Sequence, residues 1–243
     1  MSQTYAKDYI DLAFEDILRI YRKRNLIQLL KHHKHSRFLE IGCGSDPLFQ
    51  DVADFDKMVI VEPDKTFFEI ARSLANNNKK IEILNNSIES LNNKSSDYEF
   101  DFIVIGGFLH EIDDPQSVLQ AIKKYSNKDT LIYSFVPNAN SFHRLLAISM
   151  NIIESVYEKS NNDVKFGRRV VYNINTYNSL FSENGYEIIN SGTYFIKPFA
   201  HSQMDELLKN KIIDESCLDG LDRMIEFLPD FGAELWNLCK ING

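Results

Sequence analysis

Apolar residues recur along this chain with two different periods. Between residue 5 and about residue 34, Ile10, Phe14, Ile17, Leu18 and Tyr21, then Leu26, Leu29 and Leu30, return at helical spacing and predict an N-terminal helix. Further on, short continuous apolar runs are separated by polar turns. Phe38–Ile41, Met58–Val61, Ile81–Leu84, Phe100–Ile105 and Thr130–Val136 predict five buried strands. Helices are expected between them at Pro47–Phe55, with Asp46 as its cap, at Lys65–Asn76, and from Asp114-Pro115 to about Tyr125. This alternation predicts an α/β protein with a doubly wound, mainly parallel sheet.

The texture changes after Val136. Phe142–Ile153 predicts an apolar-faced helix, 160–163 a polar loop, and Asn175–Asn184 a helix stopped by Gly185. Tyr186–Asn190 and Thr193–Ile196 flank Ser191-Gly192 and predict a hairpin. Two helices, at about 203–211 and 217–240, are expected to close the chain. No repeat or long linker is visible. One domain over 1–243 is expected, with 1–35 as a helical lid, 36–136 as a cofactor-binding core, and 137–243 carrying the substrate side, the hairpin and the C-terminal helices.

The length of 243 residues and 44% apolar content suit one such domain with a sizeable core. A net charge of −8 argues against nucleic acid or an anionic membrane as the main partner and leaves a small molecule open. Three cysteines without Cys-x-x-Cys spacing, and a polar N-terminus, point to a reducing cytoplasm. The run Leu145–Ile153 is too short to span a bilayer. The cluster His32-His33-His35 reads as a solvated basic helix end, and the histidines show no metal-ligand spacing, so no metal is expected.

The first strand runs into Glu40-Ile41-Gly42-Cys43-Gly44-Ser45-Asp46-Pro47, a tight turn whose glycines let a ligand approach the backbone. A dinucleotide fingerprint needs a third glycine where Pro47 stands, which weakens a nicotinamide or flavin reading. Glu40, just before the turn, suits a ligand ammonium. A carboxylate roughly 20 residues beyond such a turn can bind ribose hydroxyls bidentately, and Glu62, after the second strand, stands at about that distance.

Together these residues resemble the class I S-adenosylmethionine-dependent methyltransferases, over most of the chain. Glu40-x-Gly42-x-Gly44 is similar to their first motif and Glu62 to their ribose-binding acid. Asn85-Asn86-Ser87-Ile88 is similar to the adenine-contacting turn, and Phe100–Ile105 and Leu109–Pro115 to the fourth strand and the segment after it. The resemblance implies a seven-stranded sheet ending in an antiparallel hairpin. It implies S-adenosylmethionine as cofactor, held at Glu40, Gly42, Gly44, Glu62, Pro63, Asn86, Ser87 and Gly106.

Methyl transfer from a sulfonium needs alignment and exclusion of water more than a conspicuous catalytic motif. His110 and His143 are the candidate proton acceptors. The block Pro137-Asn138-x-x-Ser141-x-His143-Arg144 resembles one in a subgroup associated with surface-polysaccharide and other small-molecule pathways. With Arg168, Arg169 and Tyr172, the residues Asn138 and Arg144 are candidate substrate contacts, the arginines for phosphate or carboxylate. The expected activity is methylation of a small polar acceptor, at an oxygen of a sugar, nucleotide-sugar or sugar-phosphate-like metabolite. Nitrogen methylation, an NAD-type oxidoreductase and a non-catalytic partner subunit are the alternatives, and the oligomeric state is left open.

Overall fold

Each of the five central apolar runs becomes a strand of one seven-stranded sheet. The computed structural model describes residues 6, 10, 14–91, 99–159 and 161–242. The strands are β1 (Arg37–Ile41), β2 (Lys57–Val61), β3 (Ile81–Leu84), β4 (Phe102–Ile105), β5 (Leu131–Pro137), β6 (Tyr186–Tyr194) and β7 (Glu234–Ile241). Their order is β3-β2-β1-β4-β5-β7-β6. The first five are parallel, and β7 runs antiparallel to both of its neighbours.

Side chains alternate between the two faces of the sheet. Leu39, Ile41, Val59, Val61, Ile103 and Ile105 pack on one side, with Val118, Leu119 and Ile122 of α3 (Pro115–Ile122) and Tyr177, Leu180 and Phe181 of α6 (Ile174–Glu183). Phe38, Met58, Ile60, Phe102, Val104 and Tyr133 pack on the other, with Leu26 and Leu30 of α1 (Glu15–Leu30) and Ala71 of α2 (Lys65–Ala75). Burial on both faces is why these strands read as continuous apolar runs. The remaining helices are α4 (Phe142–Ser149), α5 (Asn161–Lys165), α7 (His201–Lys209) and α8 (Glu215–Arg223).

Several expectations are corrected. Pro47–Phe55 contains a single 3-10 turn, Leu48–Gln50. Asp46 does not cap it; its carboxylate pairs with Lys23 at 2.7 Å, while Glu40 accepts the Leu48 N–H at 3.1 Å. The expected 160–163 loop includes the start of α5. The helix from Phe142 ends at Ser149 rather than Ile153. The hairpin over 186–196 is one continuous strand, β6, with an irregularity between Ile188 and Asn190. Its partner is β7, drawn from the expected 217–240 helix, of which α8 and the turn Met224–Glu226 are the helical part. The final antiparallel pair therefore exists, with α7 and α8 inserted between its strands and a strand at its C-terminal side. The expected N-terminal helix extends over α1, where Phe14 at φ 63° marks its beginning; residues 5, 7–9 and 11–13 of that expectation lie outside the described residues.

Candidate active site

β1 ends in a turn that only glycine accommodates easily. Gly42 and Gly44 adopt φ of +75° and +58°, in the left-handed region. The Gly42 N–H donates to Val61 O at 2.9 Å and the Gly106 N–H to Ile41 O at 2.8 Å, so the ends of β1, β2 and β4 are drawn together. A Cβ at Gly106 would stand 1.9 Å from Gly42 O, whereas one at Gly44 would meet nothing within 4 Å. The backbone is thus closed on the sheet side and open above Gly44.

That opening is a cleft of about 220 Å³ at the carboxyl ends of β1, β2 and β4. It lies where the strand order reverses, the place at which open α/β sheets bind ligands. Glu40, Gly42, Gly44, Glu62, Pro63, Ser87 and Gly106 line it; Asn86 does not, and its side-chain oxygen accepts the Ser87 N–H at 2.9 Å. From above, α1 contributes Arg19, Arg22, Lys23 and Leu26. Arg19 donates to Ser45 Oγ at 2.9 Å, and Lys23 pairs with Asp46, which fastens α1 to the glycine turn.

Both strand-end acids are buried. Glu62 Oε1 accepts the Asp64 N–H at 2.8 Å and Oε2 the Gly44 N–H at 3.2 Å. Burial raises its pKa, and the two N–H groups oppose that rise. Glu40 is pushed up to about 8 by burial, against the Leu48 N–H and Lys23. The Cys43 thiol beside them is pushed up by burial and by both acids, which leaves it an unreactive thiol.

Beyond Gly107 and Phe108 the polar residues of the second half of the chain gather. His110 is buried with neither ring nitrogen hydrogen-bonded among the described residues, although Nε2 lies 3.5 Å from Glu111 Oε1. Its carbonyl accepts the Arg169 N–H at 2.7 Å. His143, on α4, also has a buried and unpartnered Nδ1. Burial, reinforced by nearby cations, holds both imidazoles well below their usual pKa and therefore neutral.

The other expected substrate contacts divide. Arg168 donates to Asp163 at 2.9 Å, and its Nε lies 3.8 Å from Glu111, a cleft residue. Arg144 donates to Val156 O at 2.9 Å and to Glu158 O, and faces Asp163 at 3.5 Å. Arg169 pairs with Asp113 at 2.9 Å on the surface. The Asn138 amide donates to Asp230 O and Gly232 O at 3.0 and 2.9 Å, clipping the end of β5 to the segment before β7. Tyr172 packs on Tyr177 with ring centroids 5.3 Å apart. Asn138 and Tyr172 are engaged in packing, and none of Asn138, Arg144, Arg168, Arg169, Tyr172, His110 and His143 lines the cleft itself.

Residues that sequence reasoning missed complete the site. Arg22 donates through Nε and Nη2 to the Glu234 carboxylate at 2.8 and 2.6 Å and through Nη2 to Glu15 at 2.9 Å, while its guanidinium lies over the Phe135 ring, 4.7 Å from the centroid. Gly107 adopts φ +74° against the same ring; the adjacent pair Gly106-Gly107 closing a strand was its signal. Lys197 and Glu234 left no sequence signal, since each is a lone charge beside an apolar run. Among the described residues no group of three or more His, Cys, Asp or Glu side chains is placed to hold a metal ion.

A family model described as a methyltransferase domain matches residues 13–191. The chain belongs to this family. Among solved structures it is similar to a methyltransferase of Thermotoga maritima, described as a possible histamine N-methyltransferase. The TM-score is 0.62 and the identity 18%, with 100% of both chains covered. It is also similar to the plantazolicin methyltransferase BpumL in complex with SAH (TM-score 0.59, 14% identity, 99% of this chain and 90% of that one). The cyclase SpnF is a further neighbour (TM-score 0.58, 13% identity, 90% of this chain and 81% of that one). At these identities the structural likeness shows the fold alone. No curated protein matches the chain. The fold is that of the class I methyltransferases, the chain carries a methyltransferase domain, and the open backbone at Gly44 beside two carboxylates fits S-adenosylmethionine as its cofactor.

Proposed function

We propose that this enzyme methylates an oxygen of a small polar acceptor, a sugar, nucleotide-sugar or sugar-phosphate-like metabolite in surface-polysaccharide biosynthesis. When bound, S-adenosylmethionine supplies an electrophilic methyl group on a sulfonium. Glu40 would hold its ammonium, Glu62 its ribose and Ser87 its base, with Gly42, Gly44, Pro63 and Gly106 shaping the cleft and Asn86 positioning the Ser87 backbone from outside it. Helix α1, fastened to Ser45 and Asp46, acts as the lid that excludes water. His110 or His143 takes the acceptor's proton.

One observation carries the oxygen preference: two buried imidazoles, held neutral, in which both ring nitrogens of His110 and Nδ1 of His143 have no hydrogen-bond partner among the described residues. A hydroxyl needs such a base more than a neutral amine does. Labelled S-adenosylmethionine incubated with the enzyme and fractionated metabolite extracts tests the reading by mass spectrometry. Label in an O-methyl ether or ester supports it. Label confined to N-methyl products would overturn the oxygen assignment, and no heat with S-adenosylhomocysteine in calorimetry would overturn the cofactor roles.

A further inference from the structure

At the carboxyl ends of β5 and β6 and the amino end of β7, charged side chains from both halves of the chain form one buried cluster. Three of its cations have carboxylate partners. Arg22 holds Glu15 and Glu234, Arg168 holds Asp163, and Arg144 faces Asp163 from 3.5 Å. Lys197 differs. It is 2% exposed just beyond β6, and among the described residues its Nζ has one hydrogen-bond partner, His201 Nδ1, at 2.9 Å. Among the described residues no carboxylate forms an ion pair with it; Glu15 and Asp163 act on it only from a distance.

An ammonium carries three N–H bonds, and a buried cation without a counter-ion is costly. The imidazoles around it do not supply that counter-ion. His201, accepting from Lys197 at Nδ1, turns Nε2 toward Glu15 at 3.9 Å. His143 faces the same pair, and its buried Nδ1 has no hydrogen-bond partner among the described residues. The cluster adjoins the cleft, because Arg22 and Glu111 belong to both.

We propose that Lys197 binds an oxyanion of the methyl acceptor, a carboxylate or a phosphate, so that the acceptor is a small acid. The inference rests on the methyltransferase reading for its acceptor and on the cluster for its chemistry. Without the anion, burial lowers Lys197 to about 7, with Arg168 and Arg144 lowering it and Glu15 and Asp163 raising it. Arg22, His143 and His201 complete the groups that face this pair. An incoming oxyanion reverses the balance, so above neutral pH its binding takes up a proton.

The test follows the Lys197 side-chain signal by NMR in the full-length protein, with sodium acetate or inorganic phosphate added against sodium chloride of equal ionic strength. The expected result is an upward shift of the Lys197 titration midpoint by about one pH unit or more, with anion affinity falling about tenfold per pH unit above the free midpoint. Response to acetate alone assigns a carboxylate acceptor, and to phosphate alone a phosphate. Lys197→Gln is expected to weaken the anion at least about tenfold and Lys197→Arg to retain it, both with unchanged affinity for S-adenosylhomocysteine. If neither anion moves the signal, or Lys197→Gln binds as tightly as wild type, the proposal is overturned. Should Lys197→Gln fail to fold, the wild-type titration decides alone. Calorimetry with S-adenosylhomocysteine fails separately if the cofactor reading is wrong.

Discussion

Glu62 joins two turns through one carboxylate, with Gly44 on one oxygen and Asp64 on the other. Removing it takes away both buried acceptors and the ribose contact proposed for them. Glu62→Ala is expected to weaken S-adenosylhomocysteine by about 1.5–3 kcal/mol in calorimetry; an unchanged affinity removes Glu62 from the cofactor site. Gly44 makes a cleaner probe, because a Cβ there would meet nothing within 4 Å beyond its chain neighbours. Gly44→Val occupies the ligand's approach and strains a left-handed residue, so binding should fall at least about a hundredfold, with strain of about 1–3 kcal/mol seen as a lower Tm. Glu40 supplies a pH dependence. Only its ionised form attracts an ammonium, and in the free protein it ionises near pH 8. Affinity for S-adenosylmethionine should therefore rise from pH 6.5 toward 8, and Glu40→Gln should flatten that rise. Folding linkage has the opposite sign: the folded state keeps the Glu40 proton that the unfolded chain loses near 4.5, so its contribution to stability is lost as pH rises toward 8.

Among the elements, the parallel half was legible and the antiparallel pair was not. Strands β1, β2 and β4 read correctly because burial on both faces makes them largely apolar, while β3, half-buried at the sheet edge, is legible from its three apolar residues around Glu82. β6 has the burial pattern of an edge strand, with exposed Glu187 and Ile189 and a glycine beneath the Trp236 ring. Its Ser191-Gly192 has the composition of a turn, but pairing with Asn237 and Trp236 holds it extended. In β7, Leu235, Leu238 and Cys239 fit a helical period as well as a strand, and contact with β5 and β6 decides between them. Helix α6 is marked locally by its capping box, in which Asn173 Oδ1 accepts the Thr176 N–H at 2.9 Å and Thr176 Oγ1 accepts the Asn173 N–H at 3.0 Å. Asn173→Ala should cost about 1 kcal/mol of unfolding free energy in a denaturant titration.

Across the molecule, the join between α1 and the rim of the sheet links the glycine-turn cleft to the buried charge cluster at the start of β7. Arg22 reaches Glu234 at the start of β7 and Glu15 on its own helix, while Arg19 and Lys23 reach the glycine turn. Glu234→Ala takes the bidentate partner from the Arg22 guanidinium, which keeps Glu15, a loss of about 1.5–3 kcal/mol. It should release α1 to limited proteolysis before the rest of the domain. S-adenosylhomocysteine should protect α1 in the wild type, and equal cleavage with and without ligand would argue against its role as a lid.

The sequence by itself determined the sheet core and the cofactor turn, because both depend on local signals: continuous apolar runs, glycines with positive φ, and acids at strand ends. Tertiary structure decided what lies opposite them. It placed Glu40 on the Leu48 N–H, drew β7 from a stretch that reads as helix, and gathered Arg22, His143, Asp163, Lys197, His201 and Glu234 into one buried cluster. Those charges are scattered from the first helix to the last strand. Their chemistry arises from burial and mutual distance, quantities that exist only once the chain is folded.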